Sequence, residues 1–483
     1  MWAGLSIWTR TRLVLTLGLV PVGCTPAGNQ AKSGSGVSPF GDDPARDTSD
    51  LPDSGDAAQD TADTGVEGVP AGPALYPDTE IHSPITPFVA DHIRDILSTG
   101  DDALLSDVFM KVGASSTVSH STLYCFAEDP VELGAYTELQ DTLDFFLGGD
   151  AAGSTPFDRD TTAARSGHTA MWVVDGDPSP LNQELAAIQP RFAIIHYGTN
   201  DMGMGSTYLS AMWAFHEAMM TMIDDLSRAG VVPVLTGISH RGDSASANEW
   251  VETYNALIRG MAQSRQIPFI DLHLAMDDLD GFGLAGDGIH LEGYSGGPCV
   301  LTEDGLAHGY NRRNLIVLQA LDRLYRVGVL GLDALDEAED PIPGEGTLDA
   351  PLQIPGLPFS DARNTAEASS AELAHYSGCE SDTDESGPEV VYTLTLDTPT
   401  RLRAIVADRG ETDIDIHLLD SSATEEGCLA RDHHSIEGTL DPGTYHLVLD
   451  TWVDGDGGVR AGEYLLTVAA CHPDDLACDV EPG

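Results

Sequence analysis

Lysine is almost absent from this chain. Lys32 and Lys111 are the only two in 483 residues, and lysine plus arginine number 23 against 78 acidic residues, a formal net charge of -55. So few basic groups leave no footprint for phosphates, which excludes nucleic-acid binding. The negative surplus favours solubility and resists anionic surfaces. Aromatic residues are sparse, at 6%. The apolar run LVLTLGLVPVG (13–23) is too short to cross a bilayer as a helix, which takes about 20 residues. The 7 cysteines include no CxxC pair with a matching His or Cys set, and no group among the 16 histidines has metal-ligand spacing. No metal and no cofactor is therefore expected. Acidic runs such as DDPARDTSD, and DGDGG (454–458), read as solvated faces and a hairpin tip, because a calcium loop needs convergent oxygen ligands.

What is present begins with the leader. Arg10 and Arg12 precede the apolar run, which stops at Cys24; this is the layout of a signal peptide over residues 1–24. A cysteine straight after Val22-Gly23 resembles the cleavage site of bacterial lipoproteins, although Pro21 stands where a leucine is usual. The resemblance implies lipid attachment at Cys24 and a cell-envelope location, on the outer membrane or surface of a bacterium; plain secretion is the alternative. Residues 25–79 are rich in Gly, Ser, Pro, Asp and Thr and read as a disordered acidic tether. With Cys24 set aside six cysteines remain, an even number that suits disulfides in an oxidising compartment. The simplest pairing keeps Cys125 with Cys299 and pairs Cys379, Cys428, Cys471 and Cys478 among themselves. A bridge from Cys125 to Cys299 would clamp together the loops that follow residues 115 and 290.

From about 80 to 330, apolar runs alternate with stretches of helical period. The runs 107–113, 170–175, 191–198, 231–238 and 267–272 predict buried strands; 207–230, 248–266 and 311–328 predict helices. This alternation argues for an α/β fold, a flavodoxin-like parallel sheet covered by helices on both faces. Residues 331–359 are Pro-, Gly- and acid-rich and read as a linker. Residues 360–483 carry short alternating strands with turn signals, an all-β sandwich. Their texture, with the paired GTYHLVLD and GEYLLTV strands, resembles the pre-peptidase C-terminal domains of secreted bacterial proteases; the resemblance implies an accessory for binding or stability.

Three blocks carry chemistry. A serine hydroxyl needs a base to remove its proton, the base needs an acid to hold its tautomer, and the tetrahedral intermediate needs donors aimed at its oxyanion. KVGASST (111–117) offers Ser115, with Ser116 as the hydroxyl one residue on; GTND (198–201) offers Asn200 and Asp201; DGIH (287–290) offers Asp287 and His290. In that order, over about 105–328, they resemble the SGNH/GDSL hydrolase family. The resemblance implies Ser115 as nucleophile, His290 as base and Asp287 as its acid partner. It implies an oxyanion hole of the Ser115 and Gly167 backbone N–H groups and the Asn200 side chain. His168, beside Gly167 in ARSGHTA, and Asp201 are candidates for substrate contact. Ala114 departs from the family, which has aspartate there. His196 lies inside a strand and reads as core. His240 and His273 end strands and are weaker candidates for substrate contact.

The leading expectation is thus an exported serine esterase acting on acyl esters, acetyl among them, of a polysaccharide or small lipid through an acyl-enzyme. It would reach the membrane through its lipid anchor, and no partner protein is implied. Two other readings compete. One is a non-catalytic surface binding protein that keeps the fold, which Ala114 favours. The other is a metal-dependent phosphoesterase built on Asp201, His240 and Asp287, which no spacing supports.

Overall fold

The computed structural model describes residues 72–475 and 478, except 129, 339 and 380–382. The leader, Cys24 and most of the expected tether lie outside the described residues. Among the described residues no helix is long and apolar enough to cross a membrane.

Four strands form a wholly parallel sheet: β1 (Leu105–Gly113), β2 (Pro190–His196), β3 (Val232–Thr236) and β4 (Phe269–Ile270). They lie side by side in that order. A single parallel bridge from Gly113 to Ala164 flanks β1 on its other side. That bridge stands where a second strand completes the flavodoxin-like order. β2 and β3 are buried along nearly their whole length and β1 from Val108 onward, as a sheet covered on both faces must be. Helices Pro87–Thr99, Gln140–Leu147 and Gly309–Leu324 gather on one face; Pro180–Ile188, Tyr208–Arg228 and Val251–Ser264 gather on the other.

Two expected strands differ. The run 170–175 is not a strand: Ala170–Val174 is a short helix. Its first N–H donates to the buried Asp201 carboxylate at 2.8 Å, a tertiary anchor that outweighs the strand preference of Val173 and Val174. The run 267–272 keeps only two strand residues, because Asp271 caps a helix over Leu272–Met276 by accepting from Leu274 N–H at 2.9 Å. The folded part also starts before residue 80. Ala74 and Tyr76 are buried, and their N–H groups donate to Gln266 and Gln263.

Downstream of helix Gly309–Leu324 two sheets face each other. One holds β5 (Leu352–Gln353), β7 (Glu389–Leu396), β9 (Ile414–Leu419), β10 (Cys428–Asp432) and β12 (Gly443–Thr451); the other holds β6 (Phe359–Asn364), β8 (Thr400–Asp408), β11 (Ser435–Leu440) and β13 (Glu463–Ala470). Apart from the parallel β5–β7 contact, every pairing is antiparallel. Helix Val251–Ser264 packs on β6 and β13. There Gln263 donates to the Ser360 carbonyl at 2.6 Å, and the Arg403 guanidinium stacks 3.6 Å above the Trp250 ring. The segment 331–359 is tied at both ends, by the Arg323–Asp336 ion pair and by β5 on β7. The cysteines pair within each region: Cys125–Cys299, Cys379–Cys428 and Cys471–Cys478.

Candidate active site

The first two blocks sit at the carboxyl ends of β1 and β2, where ligands bind in open α/β sheets, and the third lies on a loop that reaches them. β1 ends at Gly113, and the chain turns at once into a helical turn, Ser115–Val118, held by the Ala114 carbonyl on the N–H groups of Thr117 and Val118. The turn is tight: a Cβ on Gly113 would lie 2.2 Å from Thr117 Oγ1 and 2.8 Å from the His196 carbonyl. Only glycine allows β1, β2 and the turn to approach so closely.

His290 lies at the tip of a loop closed by the Leu284–Leu291 bridge and by Ala285 N–H donating to the His290 carbonyl at 2.7 Å. Its Nε2 is 2.8 Å from Ser115 Oγ and its Nδ1 is 2.7 Å from Asp287 Oδ2. The other Asp287 oxygen accepts from the N–H groups of Ile289 and His290. The hydrogen bond from His290, then those two backbone donors, hold the Asp287 carboxyl well below the usual carboxylate range. Three side chains from blocks 175 residues apart therefore form one continuous relay. The hydroxyl on His290 belongs to Ser115; Ser116 contributes its carbonyl, which accepts from Thr122 and Arg313.

Asn200 and Ser115 line the same small cavity, about 20 Å³ in volume, together with Ala114, Gly198 and Ile289. That is room for about one water. One amide hydrogen of Asn200 goes to the His168 carbonyl at 3.0 Å; the side chain carries a second. Gly167 sits at φ +74 in the turn before His168. This turn is fastened to the end of β1, since Gly113 N–H donates to Ala163 and Arg165 N–H donates to Gly113. The His168 ring meets Trp172 edge-on at 4.9 Å, and its Nδ1 lies 3.0 Å from the Ser166 carbonyl.

Asp201 lines the same cavity. It is 3% exposed, and its two oxygens accept from Ala170 and Gly198 N–H groups. Burial raises its pKa to about 6 against those backbone donors. It shapes the GTND turn and anchors helix Ala170–Val174, so both carboxylate oxygens already hold backbone N–H groups. His196 is buried as expected, and burial drives its pKa well down. Without any metal-like spacing in sequence, His240, His273 and Asp277 converge within 4.8 Å. Spacing hid this set because it joins two loops 33 residues apart in sequence.

Helix Gly309–Leu324 supplies residues that motif reading passed over. Asn311 donates to the carbonyls of Gly297 and Val300. Asn314 accepts from Leu123 N–H and donates to the carbonyls of Ser121 and Pro298. One buried helix face thus grips the loop after Ser115 and the loop after His290, which Cys125–Cys299 also joins at a Cα separation of 5.5 Å. Arg313 is buried and donates to the Ser116 carbonyl at 3.1 Å; among the described residues no carboxylate pairs with it, and burial lowers its pKa to about 10. The signal was available in NRRN (311–314), four polar residues opening an otherwise apolar helix.

Residues 136–293 match the family model of GDSL-like lipases and acylhydrolases. The chain carries a GDSL-like domain. The matched span holds Gly167, Asn200, Asp287 and His290 and starts after Ser115, so the assignment of the serine rests on geometry. Among solved structures, the chain is similar to a GDSL-like lipase from Bacteroides thetaiotaomicron, at 15% identity and a TM-score of 0.30 over 49% of this chain and 98% of that one. A mutant acetylxylan esterase from Geobacillus stearothermophilus matches at 12% identity and a TM-score of 0.30 over 46% and 96%. The pre-peptidase C-terminal domain of a collagenase from Bacillus anthracis matches at 18% identity and a TM-score of 0.17 over 24% of this chain and 91% of that one. No curated protein sequence matches.

Proposed function

We propose that this chain is an exported serine esterase that removes small acyl groups, acetyl foremost, from a carbohydrate through an acyl-enzyme. The observation that carries the reading is the unbroken relay from Asp287 through His290 to Ser115, at 2.7 and 2.8 Å. Ser115 Oγ attacks the ester carbonyl while His290 Nε2 takes its proton; Asp287 holds the ring and steadies the imidazolium. Collapse of the tetrahedral intermediate expels the alcohol, which receives that proton. Water then attacks the acyl-Ser115 ester, again through His290, and releases the acid. Ser115 N–H, Gly167 N–H and the second amide hydrogen of Asn200 are assigned to the oxyanion; a donor of this kind contributes about 3 kcal/mol to the barrier.

Two features favour a small acyl group on a large alcohol. The cavity beside Ser115 has room for about a water, too little for a long acyl chain. The side chains of His290 and Asp287 are 36% and 53% exposed, which suits a polymer lying across the site better than a ligand enclosed within it. A small lipid ester is the competing substrate. The binding-only reading rested on Ala114, yet the relay is complete with alanine there. The metal-phosphoesterase set is not assembled: Asp201 accepts from backbone, His240 pairs with Asp277, and Asp287 with His290.

Export and lipid attachment at Cys24 are part of the proposal. The paired cysteines support an oxidising compartment. A mature chain whose mass shows no lipid at Cys24 would leave secretion. For the activity, p-nitrophenyl acetate and longer-chain esters are compared with acetylated glycans, using Ser115→Ala as control. Acetate release abolished in that variant supports the reading; equal rates for both proteins overturn it.

A further inference from the structure

We propose that His240, His273 and Asp277 form a binding site for one borderline divalent transition metal, of which Zn2+ is the type, separate from the Ser115 relay. This goes beyond the esterase reading and does not depend on it. His240 lies on the loop leaving β3; His273 lies in the helical turn after β4, and Asp277 directly follows that turn. His240 Nε2 lies 2.7 Å and His273 Nδ1 3.7 Å from the same atom, Asp277 Oδ1. The two imidazoles stack with centroids 3.7 Å apart, and Phe282 covers His240 at 3.8 Å. Both donor nitrogens are thereby turned toward one carboxylate oxygen.

The donor set selects the ion. Two imidazoles and one carboxylate suit Zn2+, Co2+ or Ni2+, whereas Ca2+ and Mg2+ take oxygen ligands. In a tetrahedral site with bonds of about 2.0–2.1 Å, neighbouring donor atoms stand about 3.3 Å apart. The two nitrogen–oxygen distances lie on either side of that value, so shifts of about half an ångström close the site. His240 and His273 are shielded, at 9% and 17% side-chain exposure, while Asp277 is 48% exposed. The ion has a route in from solvent and an outward position for water. Its placement connects it to the catalytic loop: Gly242 N–H donates to the Gly288 carbonyl at 2.8 Å, between Asp287 and His290. A metal on His240 would brace the loop after β3 that this catalytic loop leans on.

The test uses the full, untagged, metal-stripped protein titrated with Co2+ and read by its visible d–d absorption. One equivalent is expected to bind with a tetrahedral spectrum, and Zn2+ to bleach it. His273→Ala and Asp277→Asn should abolish the bands, whereas Ser115→Ala and His290→Ala should keep them. His433→Ala should keep them too; it removes the other converging set, Asp413, Asp415 and His433. Absence of stoichiometric bands, or bands that survive in both His273→Ala and Asp277→Asn, would overturn the proposal, as would loss only in His433→Ala. If His273→Ala does not fold, exposed Asp277 decides: retained bands in Asp277→Asn overturn the site and lost bands support it. A melting temperature raised by roughly 5 °C at 100-fold excess over Kd is the accompanying expectation.

Discussion

Lys111 gives the sharpest physical prediction. It lies in β1, four residues before Ser115, and is 2% exposed. Its ammonium donates to the Phe157 carbonyl at 2.6 Å and sits 3.4 Å above the Tyr124 ring. Burial lowers its pKa from 10.5 to about 7, against the attraction of Asp160 and Asp158. Between pH 7 and 10.5 the unfolded chain therefore holds a proton that the folded chain has partly or wholly released. Stability must rise with pH across that window. At pH 7 the buried ammonium lowers stability by about 4 kcal/mol relative to a neutral amine, and at pH 10 by about 1 kcal/mol. Lys111→Met removes this term but leaves the Phe157 carbonyl without its donor, which costs about 1–2 kcal/mol. The variant should be about 2 kcal/mol more stable than wild type at pH 7 and level with it, or slightly less stable, at pH 10. Urea unfolding of both proteins at the two values measures the difference, and every other titrating group cancels between them. A stability gap that stays constant within about 1 kcal/mol from pH 7 to 10 would refute the reasoning, because the lysine would then be charged in the folded state throughout.

Three further outcomes follow from the site. Asp287→Asn keeps a carbonyl for the backbone donors but turns the His290 tautomer; kcat should fall roughly 10²–10⁴-fold with little change in KM and only a small change in melting temperature, measured by ester hydrolysis and calorimetry. Asn200→Ala should lower kcat by about 10²–10³-fold if its amide meets the oxyanion, and loss in KM alone would place it elsewhere. Replacing Cys125 and Cys299 together by serine opens a link spanning 174 residues; chain entropy sets the loss of stability near 5 kcal/mol, seen as a lowered unfolding midpoint in urea.

The strands that carry the site were legible because each ends in a motif whose residues the chemistry needs. VFMKVGASS and IIHYGTND stand where apolar runs end, and the roles of their residues and of DGIH rest on the order of the three blocks and the family resemblance that order carries. What escaped was tertiary. Ala170–Val174 reads as a strand locally and is a helix because Asp201 anchors its first N–H. Asn311, Arg313 and Asn314 look like an ordinary polar helix start, and their work shows only once two distant loops lie against that face. His240, His273 and Asp277 converge only because neighbouring parallel strands end at the same edge. β10 and β11 carry the weaker strand signal, because they are edge strands rich in polar residues without the strict alternation of the central ones.

The central claim is that Ser115 is the attacking hydroxyl. Reacting the protein with a serine-directed phosphonate and sequencing the modified peptide by mass spectrometry tests this directly. One adduct on Ser115, appearing together with loss of esterase activity and absent in His290→Ala, is the predicted result. An adduct on Ser116 or on any other side chain, or full inactivation with Ser115 unmodified, would contradict it.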